Sequence, residues 1–180
     1  MLLGTHGTCR SRAEVILADQ NFNAPTLRAY AGPGAYFWEY EGSPDTAKEL
    51  AELWWYYSFL AGSYKGEVDD TCGIVGVELQ DPSSDEVLDI ATHDFRHALR
   101  EVLAKVVQID DSTVHQLTAA VIDRFAAARG KPILLVKTMV KPPPLGRGRQ
   151  RAIAQWMISS WPCFVVRNGG ERLFARIFAM

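Results

Sequence analysis

The 180-residue chain reads as one α+β domain spanning residues 1–180, and three observations predict it. Short β-branched or aromatic runs stand towards both ends. Two stretches with helical apolar spacing fill the middle. Glycine or proline punctuates most junctions. Strands at the two ends with helices inside them define a mixed order rather than a strict βα alternation, and no internal repeat divides the chain.

The elements follow in order. Residues 2–7 suit a short strand. Arg10 to Asp19 places Ala13, Val15, Ile16 and Leu17 in a helix-compatible pattern, with Ser11 as its expected cap. Asn21 to Pro33 reads as loop. Gly34-Ala35-Tyr36-Phe37-Trp38 is an aromatic strand, and Ser43-Pro44-Asp45 opens a helix that runs to Gly62, because proline suits the first turn. Residues 72–80 ("CGIVGVELQ") are β-branched enough for a buried strand, and "VLDIA" is a short extended piece. Helical segments follow near 92–108 and 111–128, the second ended by Arg129-Gly130. "PILLVKTMV" fits a strand. The three prolines of "KPPPLGRGRQR" continue neither element and make it a linker or flap. Residues 151–158 fit either type. "CFVVRN" and "RLFARIF" read as two strands joined in a hairpin at Gly169-Gly170.

Composition narrows the function. A 48% hydrophobic and 22% charged chain has the balance of a soluble globular domain. A net charge of -2 supplies no overall basic field for nucleic acid. No apolar run approaches the length of a membrane span, and Met1-Leu2-Leu3 is too short for a signal-peptide core, so no membrane partner is expected. Cys9, Cys72 and Cys163 are an odd number without CxxC spacing. That pattern favours reduced thiols in a cytoplasm, the cell's own or that of a target cell, over a disulfide framework or a zinc site. His93 and His97 stand i, i+4 as a metal pair would, but no third ligand is near in sequence, so a solvated face is expected and no metal. Arg147, Arg149 and Arg151 read as a solvated loop or as phosphate contacts. Trp54-Trp55-Tyr56-Tyr57 read as packing or as a ligand wall.

The residues that point to chemistry are His6-Gly7-Thr8, the helix after them, and Gly32-x-Gly34-x-Tyr36-Phe37. In order and spacing this set resembles the ADP-ribosyltransferase fold, in its histidine–tyrosine–glutamate branch of diphtheria-type toxins and poly(ADP-ribose) polymerases. The likeness extends over residues 3–55, 72–91 and 160–179. It implies a split mixed or antiparallel sheet with flanking helices, and NAD as co-substrate. It gives His6 a ribose hydroxyl, and the Gly7 backbone, beside Thr8, the nicotinamide carboxamide. A missing side chain at Gly7 would let the ligand approach. Tyr36 would stack on the nicotinamide, with Phe37 and Trp38 supporting that wall. Thr46 or Ala47 takes the position of a small residue near the carboxamide, and Leu50, or Trp54 one turn later, that of a second aromatic.

The third catalytic position, a glutamate in relatives, falls on Cys163 when "VVRN" is aligned. Gln155 and Glu171 are the alternatives in a shifted register. The function implied is transfer of a single ADP-ribose from NAD⁺ to a macromolecular acceptor, protein or nucleic acid, by a bacterial toxin or antiviral effector with a cognate antitoxin or immunity protein as a further partner. A NAD glycohydrolase, an RNA 2′-phosphotransferase, or a non-catalytic module binding NAD or ADP-ribose are the other readings. His6 and Tyr36 are expected to converge within roughly 10 Å on one pocket of ligand size.

Overall fold

A central sheet organises the chain, and what decides its shape is where two of its strands stop pairing. The computed structural model describes residues 1–22, 31–106, 110–143 and 160–180. The elements are β1 (Leu2–Cys9), α1 (Arg10–Asp19), β2 (Ala35–Tyr40), α2 (Asp45–Leu60), β3 (Cys72–Leu79), β4 (Val87–Asp89), α3 (His93–Leu103), α4 (Asp111–Arg129), β5 (Leu135–Val140), β6 (Trp161–Val166) and β7 (Phe174–Ala179). Most of the loop expected over Asn21–Pro33, the end of the first middle helix at 107–108, and the flap and ambiguous stretch beyond Pro143 lie outside the described residues. Among the described residues no helix is long and apolar enough to cross a membrane.

The strand order is β4-β5-β6-β2-β1-β3-β7. β4 and β5 run parallel and every other neighbouring pair is antiparallel, so the sheet is mixed and the domain is α+β. β1 pairs with β3 along its whole length, from Leu2 opposite Leu79 to Cys9 opposite Cys72. With β2 it shares only Leu3–Tyr40, Gly4–Glu39 and Thr5–Trp38. Beyond Thr5, β1 stays with β3 while β2 turns to β6, pairing Ala35–Trp38 with Val166–Cys163. The sheet is therefore one ladder that opens locally between β1 and β2.

Strand alternation sorts the side chains onto two faces. One face carries Phe37, Val75, Val77, Phe164 and Ile177, covered by α1 and Phe22. On the other, α2 packs over Trp38 and Cys163, while α3 and α4 pack over Val136, Val165 and Tyr36. Phe37 stacks on Phe164 across the ladder at 5.2 Å between ring centroids. Asp110 caps α4 by accepting from the Thr113 amide at 2.6 Å. Gly130 ends that helix at φ 63°, where a side chain would be strained.

Two local expectations are corrected. Ser11 lies inside the first turn of α1 and caps nothing. Its hydroxyl donates to Glu67 and to the Asp69 carbonyl, tying the helix to the segment before β3. Nor do β6 and β7 form a hairpin. Both edges of β6 are already occupied, by β2 and by β5, so the chain passes from the turn at Gly169 through a short 3-10 helix (Glu171–Leu173) to the open edge of β3. A good turn dipeptide sets a reversal of direction, but edge availability decides the partner.

α2 lies so close to β1 that the two touch through backbone. The Thr5 hydroxyl donates to the Ala47 carbonyl at 2.7 Å. A Cβ at Gly7 would stand 1.8 Å from the Ala51 carbonyl oxygen. Gly7→Ala must therefore push α2 off the sheet. We expect the substitution to destabilise the domain by about 2 kcal/mol or more, the scale of overpacking a tight core. Urea unfolding of the two proteins checks this, and an unchanged midpoint would contradict the packing.

Candidate functional site

The opening between β1 and β2 leads into a cavity of ≈ 900 Å³, within the range of small-molecule and cofactor sites. Its floor is the α2–α4 face of β2, β6 and β5. One wall is α2, through Trp54 and Tyr57. The opposite wall is α3 and α4, through Phe95, Arg96, His115 and Thr118.

His6 and Tyr36 both line this cavity, and they meet directly. His6 Nδ1 lies 2.9 Å from the Tyr36 carbonyl oxygen. Where the strands part, that carbonyl has no ladder partner on β1, and the imidazole takes the place of a backbone amide. A carbonyl only accepts, so Nδ1 carries the proton and Nε2 presents a lone pair. The ring sits edge-on to Phe22 at 5.3 Å and beside Phe37 at 5.8 Å. Burial lowers the His6 pKa, partly offset by the bond to Tyr36, so the ring is neutral near neutral pH. By alternation, His6 leaves β1 on the α1 face, opposite to Tyr36 and Trp38. It reaches the cavity only because the sheet is open beside it.

Tyr36 is held by its own hydroxyl, which accepts from the Ala31 amide at 2.8 Å and donates to the Gly32 carbonyl at 2.9 Å. Burial raises its pKa. The two bonds fix the ring against the cavity and link the Gly32–Gly34 segment to the site. Trp38 stands beside it on the same face, with Trp54 at 6.3 Å between ring centroids. Of the two α2 candidates, Trp54 lines the cavity and Leu50 is wholly buried in the packing between α2 and the sheet. Phe37 does not back the Tyr36 wall. The two-residue period turns it to the other face, where it supports His6.

Cys163 lies on β6 opposite Trp38 and lines the floor, 3% exposed. Its thiol donates to the Phe164 carbonyl at 3.7 Å. Burial pushes its pKa up to about 12, so it carries no charge near neutrality. Glu171 is exposed and accepts from the Gly169 amide at 3.1 Å, which places it in the turn after β6 and away from the cavity. Gln155, Arg147, Arg149 and Arg151 lie outside the described residues.

No family model matches the chain, and no curated protein or solved structure matches it.

Four expected ligand contacts are placed elsewhere. The Thr8 side chain is buried beside the Tyr64 hydroxyl. Thr46 is exposed at the start of α2, and Ala47 and Leu50 are enclosed between α2 and the sheet. Gly7 does line the cavity, but its missing side chain makes room for α2 rather than for a ligand. His93 and His97 are exposed on α3, and among the described residues no three ligating side chains gather for a metal.

The sequence reading also missed one side of the site. Arg96, His115, Thr118 and Thr138 line the cavity from a stretch read only as helices and a strand, and Lys141 lines it from the start of the stretch read as a linker or flap. Spacing carried a faint signal, since Phe95 and Leu99, like His115 and Thr118, share a helical face. Among the described lining residues there is no Asp or Glu, while Arg96 and Lys141 bring positive charge. The cavity therefore suits a ligand with aromatic and anionic parts.

Burial of a neutral His6 has a consequence for stability. Its folded pKa lies below the ordinary 6.5, so between the two values the unfolded chain binds more protons. His6 thus costs nothing above pH 6.5 and destabilises the fold progressively as pH drops from there to the lower folded value. His6→Asn keeps a donor for the Tyr36 carbonyl without a titrating ring. Urea unfolding across this window should show wild type losing stability more steeply than His6→Asn.

Proposed function

We propose that the cavity binds NAD⁺ and that the protein transfers a single ADP-ribose unit from it to a macromolecular acceptor. The observation that carries this reading is the meeting of His6 and Tyr36 at the opening between β1 and β2, beside an aromatic wall of Trp38 and Trp54. Their order in the chain and the strands that bear them agree with the resemblance to the histidine–tyrosine–glutamate branch of ADP-ribosyltransferases. The mixed sheet with flanking helices is compatible with that fold.

The residues divide the work by chemistry. The lone pair on His6 Nε2 accepts from a ribose hydroxyl. Tyr36, clamped at its hydroxyl, offers a ring face to the nicotinamide, and Trp38 and Trp54 complete an apolar slot around it. Arg96 and Lys141 favour the anionic diphosphate. Positive charge develops on the ribose as nicotinamide leaves, and an enzyme accelerates that step by stabilising this charge. A neutral thiol at Cys163 contributes little to it.

The composition of the lining favours a second reading, in which the site holds NAD or ADP-ribose without breaking it. The described lining has no carboxylate, so binding rests on more groups than cleavage does.

Two measurements test the proposal. His6→Ala and Tyr36→Ala are each expected to weaken NAD⁺ binding about tenfold or more, the loss of a hydrogen bond or stacking face worth about 1–3 kcal/mol. Wild-type titrations for both variants would remove NAD from consideration. Cys163→Glu is expected to raise nicotinamide release by about 10²–10³-fold, since a carboxylate beside the ribose stabilises the developing charge. Tight NAD⁺ binding with no nicotinamide release from either wild type or Cys163→Glu would establish the binding-only reading.

A further inference from the structure

Buried polar side chains in this domain are few, and their partners are instructive. Thr5, Thr8, Thr118 and Thr138 are the buried polar residues among those described. Thr5 donates to the Ala47 carbonyl, Thr118 to the Val114 carbonyl, and Thr8 engages the Tyr64 hydroxyl. The Thr138 side chain, by contrast, makes no hydrogen bond to a described residue, and the residue is 5% exposed. It lines the cavity floor. Among the described residues the buried side-chain polar atom without a partner is Arg167 Nε, so the Thr138 oxygen is not sealed in the core but opens into the cavity, where a ligand can reach it.

Register shows what Thr138 faces. On the α2–α4 face, Trp38 lies opposite Cys163, and Cys163 opposite Thr138. The three side chains form one row across β2, β6 and β5, at the strand spacing of about 4.8 Å. The row begins at the aromatic slot and runs away from His6. A ligand whose ring occupies the slot lays its next group over Cys163 and Thr138. The Tyr36 and Thr118 hydroxyls, which also line the cavity, are committed to backbone carbonyls. The Cys163 thiol is a weak donor turned to its neighbour's carbonyl. Thr138 thus brings to this floor a hydroxyl able both to donate and to accept.

We propose that Thr138 is a ligand-binding residue whose hydroxyl holds a hydroxyl of the nicotinamide ribose, one strand beyond the thiol. This rests on the reading of the cavity as a NAD⁺ site. It places the ribose between His6, which reaches it through the open sheet, and Thr138 on the floor. A neutral hydroxyl orients the sugar without stabilising positive charge on it.

Thr138→Val removes the hydroxyl and keeps the branched shape, whereas Thr138→Ser keeps the hydroxyl. Isothermal titration of wild type and both variants with NAD⁺, nicotinamide riboside and nicotinamide is the test, with thermal unfolding of each unliganded protein. Thr138→Val is expected to lose about three- to tenfold affinity for NAD⁺ and nicotinamide riboside alike, with nicotinamide unaffected and Thr138→Ser close to wild type. Its unliganded melting temperature is expected to equal or exceed that of wild type, since no internal hydrogen bond is broken. Unchanged NAD⁺ affinity in Thr138→Val would overturn the proposal while leaving the NAD⁺ site intact. So would a loss confined to NAD⁺, which puts the contact on a phosphate, or a loss that includes nicotinamide. A clear drop in unliganded stability would mean that the hydroxyl serves the fold. Failure of wild type to bind NAD⁺ would remove both readings together.

Discussion

The hydrogen bond from His6 to the Tyr36 carbonyl is the constraint on which the site depends. Backbone carbonyls in a folded interior need partners, and a sheet normally supplies them by continuing the ladder. Here β1 and β2 part after Thr5, and α2 makes the parting possible by lying against the side-chain-free Gly7. The carbonyl left behind on Tyr36 is satisfied by an imidazole. One bond thereby closes the backbone account, fixes the tautomer of His6 and leaves Nε2 with its lone pair. The cavity entrance and its first polar group are products of the same event.

Electrostatics then divides the cavity. Around His6, Tyr36 and Trp38 the groups are neutral: burial keeps the imidazole unprotonated, the phenol protonated and the Cys163 thiol uncharged. Arg96 and Lys141 come from α3 and the end of β5 and carry the positive charge. In a partly enclosed site, that separation matters more than it would in water, because weaker screening lets a fixed charge sort the ends of a ligand. An aromatic ring is accommodated among neutral groups and an anion near the cations. With no carboxylate in the described lining, the arrangement offers more to a ligand with aromatic and anionic parts than to a developing positive charge.

Much of this was legible in the sequence because it is local. The residues of β1, α1, β2 and β3 announce themselves through small residues, aromatic runs and β-branched content, and His6 and Tyr36 stood out through their glycine neighbours. What escaped was set by tertiary competition. Gly169-Gly170 looks like a hairpin turn, yet β6 had no free edge to offer β7. Phe37 follows Tyr36 directly and so was grouped with it, although period-two alternation sends it to the other face. Thr8 sits beside Gly7 in sequence but turns to Tyr64. Arg96, His115 and Thr138 carry no motif at all. They become site residues only when the sheet brings β5 beside β6 and the helices α3 and α4 fold over them.

The identity of residue 163 follows from register rather than from anything a thiol prefers. A slip of one residue between β2 and β6 would turn every inward side chain of β6 outward. Stacking of Phe37 on Phe164 across the two strands opposes such a slip, since both rings are fully buried on the α1 face. With that pair locked, position 163 must face the cavity opposite Trp38, and position 138 must lie beside it on β5. The aromatic packing on one face of the sheet therefore dictates which side chains form the floor on the other. The side chains of that floor can change by substitution in the row while the packing that positions them stays the same.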